Sequence, residues 1–262
     1  MKAMWAAASG MKSLQHKIDT ISNNLANVNT TGFKKQRIEF KDLLYEKLQS
    51  NQILDGDGRP TSIEIGQGVL TSSTTRSFGV GNMEATNNDL DVAINGSGFF
   101  AVLDAQGETR YTKDGSFKLG VDDTTSQLVT ADGYKIQGSG GNIELGESVA
   151  KVDISKAGEI VVTRTTGEKE TVAQLELFSF ANPSGLESIG SNLYKNTPAA
   201  GTAVSNQEVA SGEIWQGFLE SSNVQVVDEM INMITAQRAY EINSKTIQTG
   251  DKLLELANNL RR

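Results

Sequence analysis

The 262-residue chain contains no cysteine, which removes disulfide frameworks, Cys-ligated zinc and thiol nucleophiles from consideration. Histidine occurs once, as His16, so a Ser–His–Asp triad or a His-ligated metal would have to be built on that single side chain. The three prolines, Pro60, Pro183 and Pro198, lie away from both ends, which are therefore free of this helix breaker. No window approaches about 18 consecutive apolar residues, so no transmembrane helix is expected and the chain is read as not membrane-inserted. The opening "MKAMWAAASGMKSLQHKIDT" has Lys2 followed by an apolar patch, Ala3 to Ala8. That patch is shorter than the apolar region of a secretory signal and runs on into a helical pattern, so a cleaved signal is not expected.

Basic residues are also in the minority. Twenty-four Lys and Arg face 32 Asp and Glu, a net charge of −8, which argues against a nucleic-acid partner. The first 50 residues hold eight Lys or Arg and four Asp or Glu, a net +4 on an acidic protein. Such a segment is either a contact surface or a solvated face.

What the sequence does have is heptad periodicity at both ends. Met4, Met11, Ile18 and Leu25 fall at position a, and Ala7, Leu14, Ile21 and Val28 at position d, four heptads without a miss. Gly10 is the one weak position, and His16 falls at f, away from the seam. The pattern predicts a helix to about Thr31, closed by Gly32 in the left-handed C′ position with Phe33 folding back on Val28. At the other end Ser222 and Gln225 fit a capping box, with Asp228 and Glu229 following where negative charge suits the helix dipole. Val226, Met233, Tyr240, Ile247 and Leu254 then recur every seven residues. Met230 joins that seam, Val227, Ile231 and Ile234 widen it, and Arg261 and Arg262 follow as cations suited to a helix C-terminus.

Between the helices the period drops to two. Residues 91–119 read as strands broken at Asn95-Gly96, Ala105-Gln106-Gly107 and Asp114-Gly115, and the pattern continues to about residue 180. Short strands with glycine turns predict an antiparallel sandwich or irregular barrel, making the fold class α+β. Phe40, Leu43, Leu44 and Leu48 fit a short helix. "DGDGRPTSIE" has Arg59 and Pro60 where a calcium loop needs Asp or Asn and then Gly, so no metal is assigned. "GQGVLT", "GSGFFA" and "GSGGNI" each lack the third glycine of a dinucleotide loop and read as turns, so no cofactor is assigned. No catalytic residue is assigned, although paired carboxylates on an acidic β domain leave a glycan-binding or glycan-cleaving module as an alternative.

Helices with exposed apolar seams at both ends must pair with each other, with copies of the chain, or with both. Asn23, Asn24 and Asn27 crowd beside the first seam, and Asn is a mediocre helix former. Either these amides bond a neighbouring chain and set register, or they weaken the last turns of the helix.

The stretch that carries them, "SNNLANVNTTGFKKQRIEFKDLLYE" (22–46), resembles the N-terminal signature of the flagellar rod and hook family, the axial proteins of the bacterial flagellum. "NDLDVAINGSGFFAV" (88–102) with "YTKDGSFKL" (111–119) is similar to the family's central motif. "GLESIGSNLYKNT" (185–197) and the segment 217–260 match its later ones. The length and "QRAYEINSK" (237–245) look most like the distal-rod branch, with hook and proximal-rod branches as alternatives. The resemblance implies a non-enzymatic subunit that polymerises helically with itself in the basal-body rod. It implies a helical inner domain of residues 1–33 with 223–262, a bracing segment 34–75 and a β-rich outer domain 76–222. Implied partners are the proximal rod proteins, the hook or hook junction, the basal-body ring complex and the flagellar type III export apparatus, which passes such chains into the periplasm without signal cleavage. The assembly interface is then expected on Met4, Met11, Leu14, Ile18, Ile21, Asn23, Asn24, Leu25, Asn27, Val28, Gly32 and Phe33, and on Val226, Met230, Met233, Ile234, Tyr240, Ile247 and Leu254.

Overall fold

The computed structural model describes residues 2–49, 63–122, 125–147, 149–205 and 212–260; the "DGDGRP" stretch, Arg261 and Arg262 lie outside them. The protein is α+β, with helices α1 (Lys2–Ala26) and α2 (Val226–Asn259) bracketing a β-rich middle. Every pairing within its large sheet and its three-stranded meander is antiparallel. By contacts the chain divides into two compact units, one of residues 1–26, 36–75 and 225–262 and one of residues 27–35 and 76–224.

In the first unit α1 and α2 pack together. Strand β1 (Gln36–Asp42) pairs with β4 (Val69–Arg76), and β2 (Tyr45–Gln49) with β3 (Ile63–Gly66). The short helix expected around Phe40 to Leu48 is therefore a pair of strands. In "QRIEFKD" the apolar residues are Ile38 and Phe40, two apart among charged neighbours, and that period-2 pattern outweighs the helical spacing.

The helix ends also differ from expectation. α1 stops at Ala26, because the Asn27 carbonyl accepts a three-residue turn bond from Thr30 N at 3.2 Å and the four-residue ladder is lost. Gly32 is left-handed, at φ +68°, but its N–H donates to the Glu220 carbonyl at 2.8 Å and not to the helix, so no Schellman motif forms. At α2 the N-cap is Gln225, without a side-chain cap bond, while the buried Ser222 Oγ accepts Val224 N at 3.3 Å. The capping box is not made, because Ser222 lies three residues ahead of the cap and serves a local turn. Asp228 and Glu229 do stand in the first turn.

The second unit is built around the strand Phe99–Leu103, whose run of apolar residues is buried on both faces. Phe100 and Val102 point into one core with Leu128, Ile136 and Ile160. Phe99 and Ala101 point into a second with Tyr111, Phe180 and Tyr194. A continuous apolar run is what a strand covered on both sides requires. The strand bonds Thr109–Thr112 along one edge and Lys135–Gly138 and Leu177–Ser179 along the other, at the middle of a large sheet. A three-stranded meander, Val149–Ile154, Glu159–Arg164 and Lys169–Gln174, stands beside it in sequence. The Ala105-Gln106-Gly107 turn closes the hairpin of Phe99–Leu103 and Thr109–Thr112 as expected, with Asp104 Oδ1 accepting Gln106 N at 2.7 Å. Asn95-Gly96 closes none. Val92–Gly96 pairs with the distant Gly212–Gln216, so the Asn-Gly pair ends a strand whose partner comes from elsewhere in the chain. Asp114-Gly115 also turns the chain out of a strand, because Thr109–Thr112 pairs with Phe99–Leu103 and Leu193–Lys195, whereas Lys118–Asp122 pairs with Thr125–Val129.

Candidate functional site: the paired terminal helices

The expected α1 seam turns inward. Ala7 and Ile21 are buried, and Met4, Met11, Leu14, Ile18 and Leu25 are half-buried. Asn23 is exposed on the same helix. Asn27, Val28 and Phe33 lie past its end, in the second unit, and are half-buried. On α2 the expected row is only partly covered. Met233 and Ile247 are half-buried, whereas Val226, Tyr240 and Leu254 are exposed.

The inward residues of α2 form a different row, again seven apart: Glu229 and Ala236 are buried, and Asn243 and Gly250 half-buried. A Cβ added at Gly10 would lie 3.1 Å from Asn243 Nδ2, and one at Gly250 would lie 3.0 Å from Met4 Cγ. Gly10, the weak position by propensity, thus stands where an added Cβ would press on the Asn243 amide. This row escaped the search for apolar periodicity because it is small and polar. Its seven-residue spacing was the available clue.

Asn24 is the polar centre of the pair and is 1% exposed. Its Oδ1 accepts Gln36 N at 2.9 Å, and its Nδ2 donates to Gln36 O at 2.8 Å and to Glu229 Oε2 at 3.0 Å. Both amide hydrogens are used, and all three bonds fall inside the chain. Neither expected reading of this asparagine describes that arrangement. Glu229, also 1% exposed, receives its amide donor in the first turn of α2, where the helix dipole already favours a carboxylate.

With that row turned inward, a second face of α2 has no cover in the single chain. Val227, Met230, Ile231 and Ile234 follow the i, i+3, i+4, i+7 pattern and are 68%, 50%, 55% and 48% exposed. Further along, Ile242, Leu253, Leu256 and Leu260 are exposed as well. On α1, Trp5 is exposed beside an open cavity of about 480 Å³ that it lines with Lys2, Ser9, Leu43 and Gln67. Among the described residues no helix is long and apolar enough to cross a membrane.

The second unit has its own buried polar cluster, which sequence reasoning missed. Lys34 Nζ lies 2.5 Å from Glu220 Oε1 and donates to the Gly79 carbonyl at 2.9 Å, with Gly81 N on the same carboxylate oxygen at 2.8 Å. Lys113 Nζ stands 3.8 Å from Glu220 Oε2 and donates to the Gly96 carbonyl at 3.3 Å. All three side chains are essentially inaccessible. Burial lowers the Lys113 ammonium from 10.5 to about 8 against the pull of Glu220, and the neighbouring Lys34 charge adds to the lowering. Asn223 completes the clasp on the segment after Lys34, its Oδ1 accepting Lys35 N at 2.8 Å and its Nδ2 donating to the carbonyls of Ser77 and Gly79. Pairings 188 residues apart leave no local mark in a sequence.

Three family models match the chain. Residues 4–34 match the one described as flagella basal body rod protein, residues 93–162 the flagellar hook protein FlgE/F/G D1 domain, and residues 216–260 the flagellar basal body rod FlgEFG protein C-terminal. The chain belongs to this flagellar basal-body rod and hook family. Its relatives include the flagellar basal-body rod protein FlgG of Borreliella burgdorferi, 44% identical across 100% of this chain and 99% of that one. The protein of the same name from Caulobacter vibrioides is 41% identical across 100% of both chains. Among solved structures, the flagellar hook protein FlgE2 of Helicobacter pylori aligns with 71% of this chain and 43% of its own, at 16% identity and a TM-score of 0.25.

Proposed function

We propose that this protein is a non-enzymatic structural subunit that polymerises helically into the distal rod of the bacterial flagellar basal body and passes torque towards the hook. The observation that carries the reading is the uncovered apolar face of α2, a stripe of large side chains in water on an otherwise folded chain. Such a stripe is stable in a working protein when a neighbour covers it, and a repeated heterologous contact closes a ring or builds an open helical filament. Full-length identity to proteins named as basal-body rod subunits supports the same reading.

In this proposal residues 1–33 and 223–262 form a coiled-coil-like inner domain, residues 34–75 brace neighbouring subunits, and residues 76–222 form the outer layer. The chain reaches the periplasm through the flagellar type III export apparatus without signal cleavage. It then meets copies of itself, the proximal rod proteins, the hook or its junction, and the ring complex. It takes no cofactor and no nucleic acid. Electron microscopy of the concentrated protein tests this. Helical filaments are expected, and discrete closed oligomers at every concentration would overturn it.

A further inference from the structure

We propose that Asn24 is a positioning residue that sets the register of α1 against α2 and makes that register conditional on strand β1 being in place. Paired amphipathic helices with a seven-residue repeat can slip by one heptad and still bury apolar side chains. On α2 the inward row is Glu229, Ala236, Asn243 and Gly250, and after a slip each would stand where its neighbour had stood. The heptad repeat of the seams admits such a slip, and the close contacts at Gly10 and Gly250 oppose it only through the flexible side chains of Asn243 and Met4. A buried amide discriminates strongly, since only the native register puts a carboxylate 3.0 Å from Asn24 Nδ2. In a slipped register the Glu229 carboxylate leaves that donor buried without an acceptor.

The amide's other two bonds give the condition. Asn24 engages both the N–H and the C=O of Gln36, the two-point contact that an adjacent strand would provide in an antiparallel sheet. Without Gln36 in that position the side chain would be buried with one acceptor and one donor unmet. Gln36 belongs to β1, which pairs with β4. One side chain therefore links α1 to the strand that follows it and to the distant α2, and correct helix register and correct strand docking stabilise each other.

The absence of native cysteine makes register directly readable. In a Gly10→Cys, Asn243→Cys chain the two thiols mark the native alignment. Gly10→Cys with Ala236→Cys, or with Gly250→Cys and Met4→Ala, marks slips of one heptad in either direction, each of these two chains also carrying Asn243→Ala so that no side chain presses on a new Cβ in the native register. All are oxidised as dilute full-length monomer, so the result does not depend on polymerisation. With Asn24 present the native pair should close about tenfold faster than either slipped pair, the ratio expected of one buried hydrogen bond. Asn24→Ala should reduce that preference to within about threefold and speed hydrogen exchange at the Gln36 amide. Asn24→Asp, which sets a carboxylate against Glu229, should do the same or worse. Asn24→Asp with Glu229→Gln should recover only part of the preference, because the bond to position 229 is remade with donor and acceptor exchanged while the carboxylate now faces the Gln36 carbonyl, to which Asn24 Nδ2 donates at 2.8 Å. An Ile21→Val chain, softened in the apolar seam, should keep the ratio. An unchanged ratio in Asn24→Ala, or an equal loss of the ratio in Ile21→Val, would overturn the proposal.

Discussion

The two units of this chain treat apolar surface in opposite ways. In residues 27–35 and 76–224, two cores share one central strand, and Phe99, Phe100, Phe117, Leu128, Ile136 and Ile160 are at most 2% exposed. In the other unit α2 alone shows Val227, Met230, Ile231, Ile234, Ile242, Leu253, Leu256 and Leu260 to water. The β unit buries most of its large apolar side chains and leaves Val80, Leu119, Val121 and Ile189 exposed, whereas the helical unit leaves a whole helix face uncovered. If the proposed function holds, the difference should separate residues whose loss unfolds the chain from residues whose loss leaves a folded chain that fails to associate.

Four outcomes sharpen or break this contrast. The largest effect is expected at Glu220. Glu220→Ala leaves Lys34 and Lys113 buried without their carboxylate and should lower stability by about 3–5 kcal/mol in chemical denaturation. A loss below about 1 kcal/mol would show that the β unit does not depend on its charged clasp. Gly32→Val comes next. Beyond the penalty for a β-branched residue at φ +68°, its Cβ would sit 2.8 Å from Asp114 N, so a loss of about 1–3 kcal/mol should fall on the β unit itself. A variant whose β unit melts normally would place Gly32 outside that unit energetically.

The third effect is a pH dependence. Lys113 falls from 10.5 to about 8 on folding, so between those values the unfolded chain binds more protons and stability from this group rises with pH. Below about pH 8 that contribution is absent. Comparison with Lys113→Met should show the wild type gaining on the variant from about pH 8 to about pH 10, and a parallel pair of curves would contradict the buried ammonium. The smallest effect belongs to the helical unit. Ile231→Ser, on the uncovered face, should shift unfolding by no more than about 0.5 kcal/mol, as surface substitutions do. Filament formation by the same variant should be lost. If its stability fell as far as that of Glu220→Ala, Ile231 would be a core residue and the contrast would fail.

The α+β class and both helices were legible in the sequence, because heptad and period-2 patterns report which face of a local segment is apolar. The hairpin at Ala105-Gln106-Gly107 was legible for the same local reason. Phe40 to Leu48 misled because three leucines and a phenylalanine fit a helix turn as well as two short strands. Asn95-Gly96 misled because the pair marks a turn wherever it stands, and nothing in it says whether flanking strands pair with each other. Asn24 was noticed as an oddity, but its partners Gln36 and Glu229 lie 12 and 205 residues away. Lys34, Lys113 and Glu220 could not be connected at all. Patterning records faces, and long-range polar pairing is settled by topology.

The strand Phe99–Leu103 carries one more consequence, which is mechanical. It is held along one edge by Thr109–Thr112, along the other by Lys135–Gly138 and Leu177–Ser179, and by aromatic packing on the face of Phe99 and Phe100 alike. A load applied along it must shear those bonds together, whereas a strand held on one edge can be peeled bond by bond. Resistance to such a load is a question of unfolding rate more than of equilibrium stability. This buried strand should therefore resist such a load better than a strand paired on one edge alone.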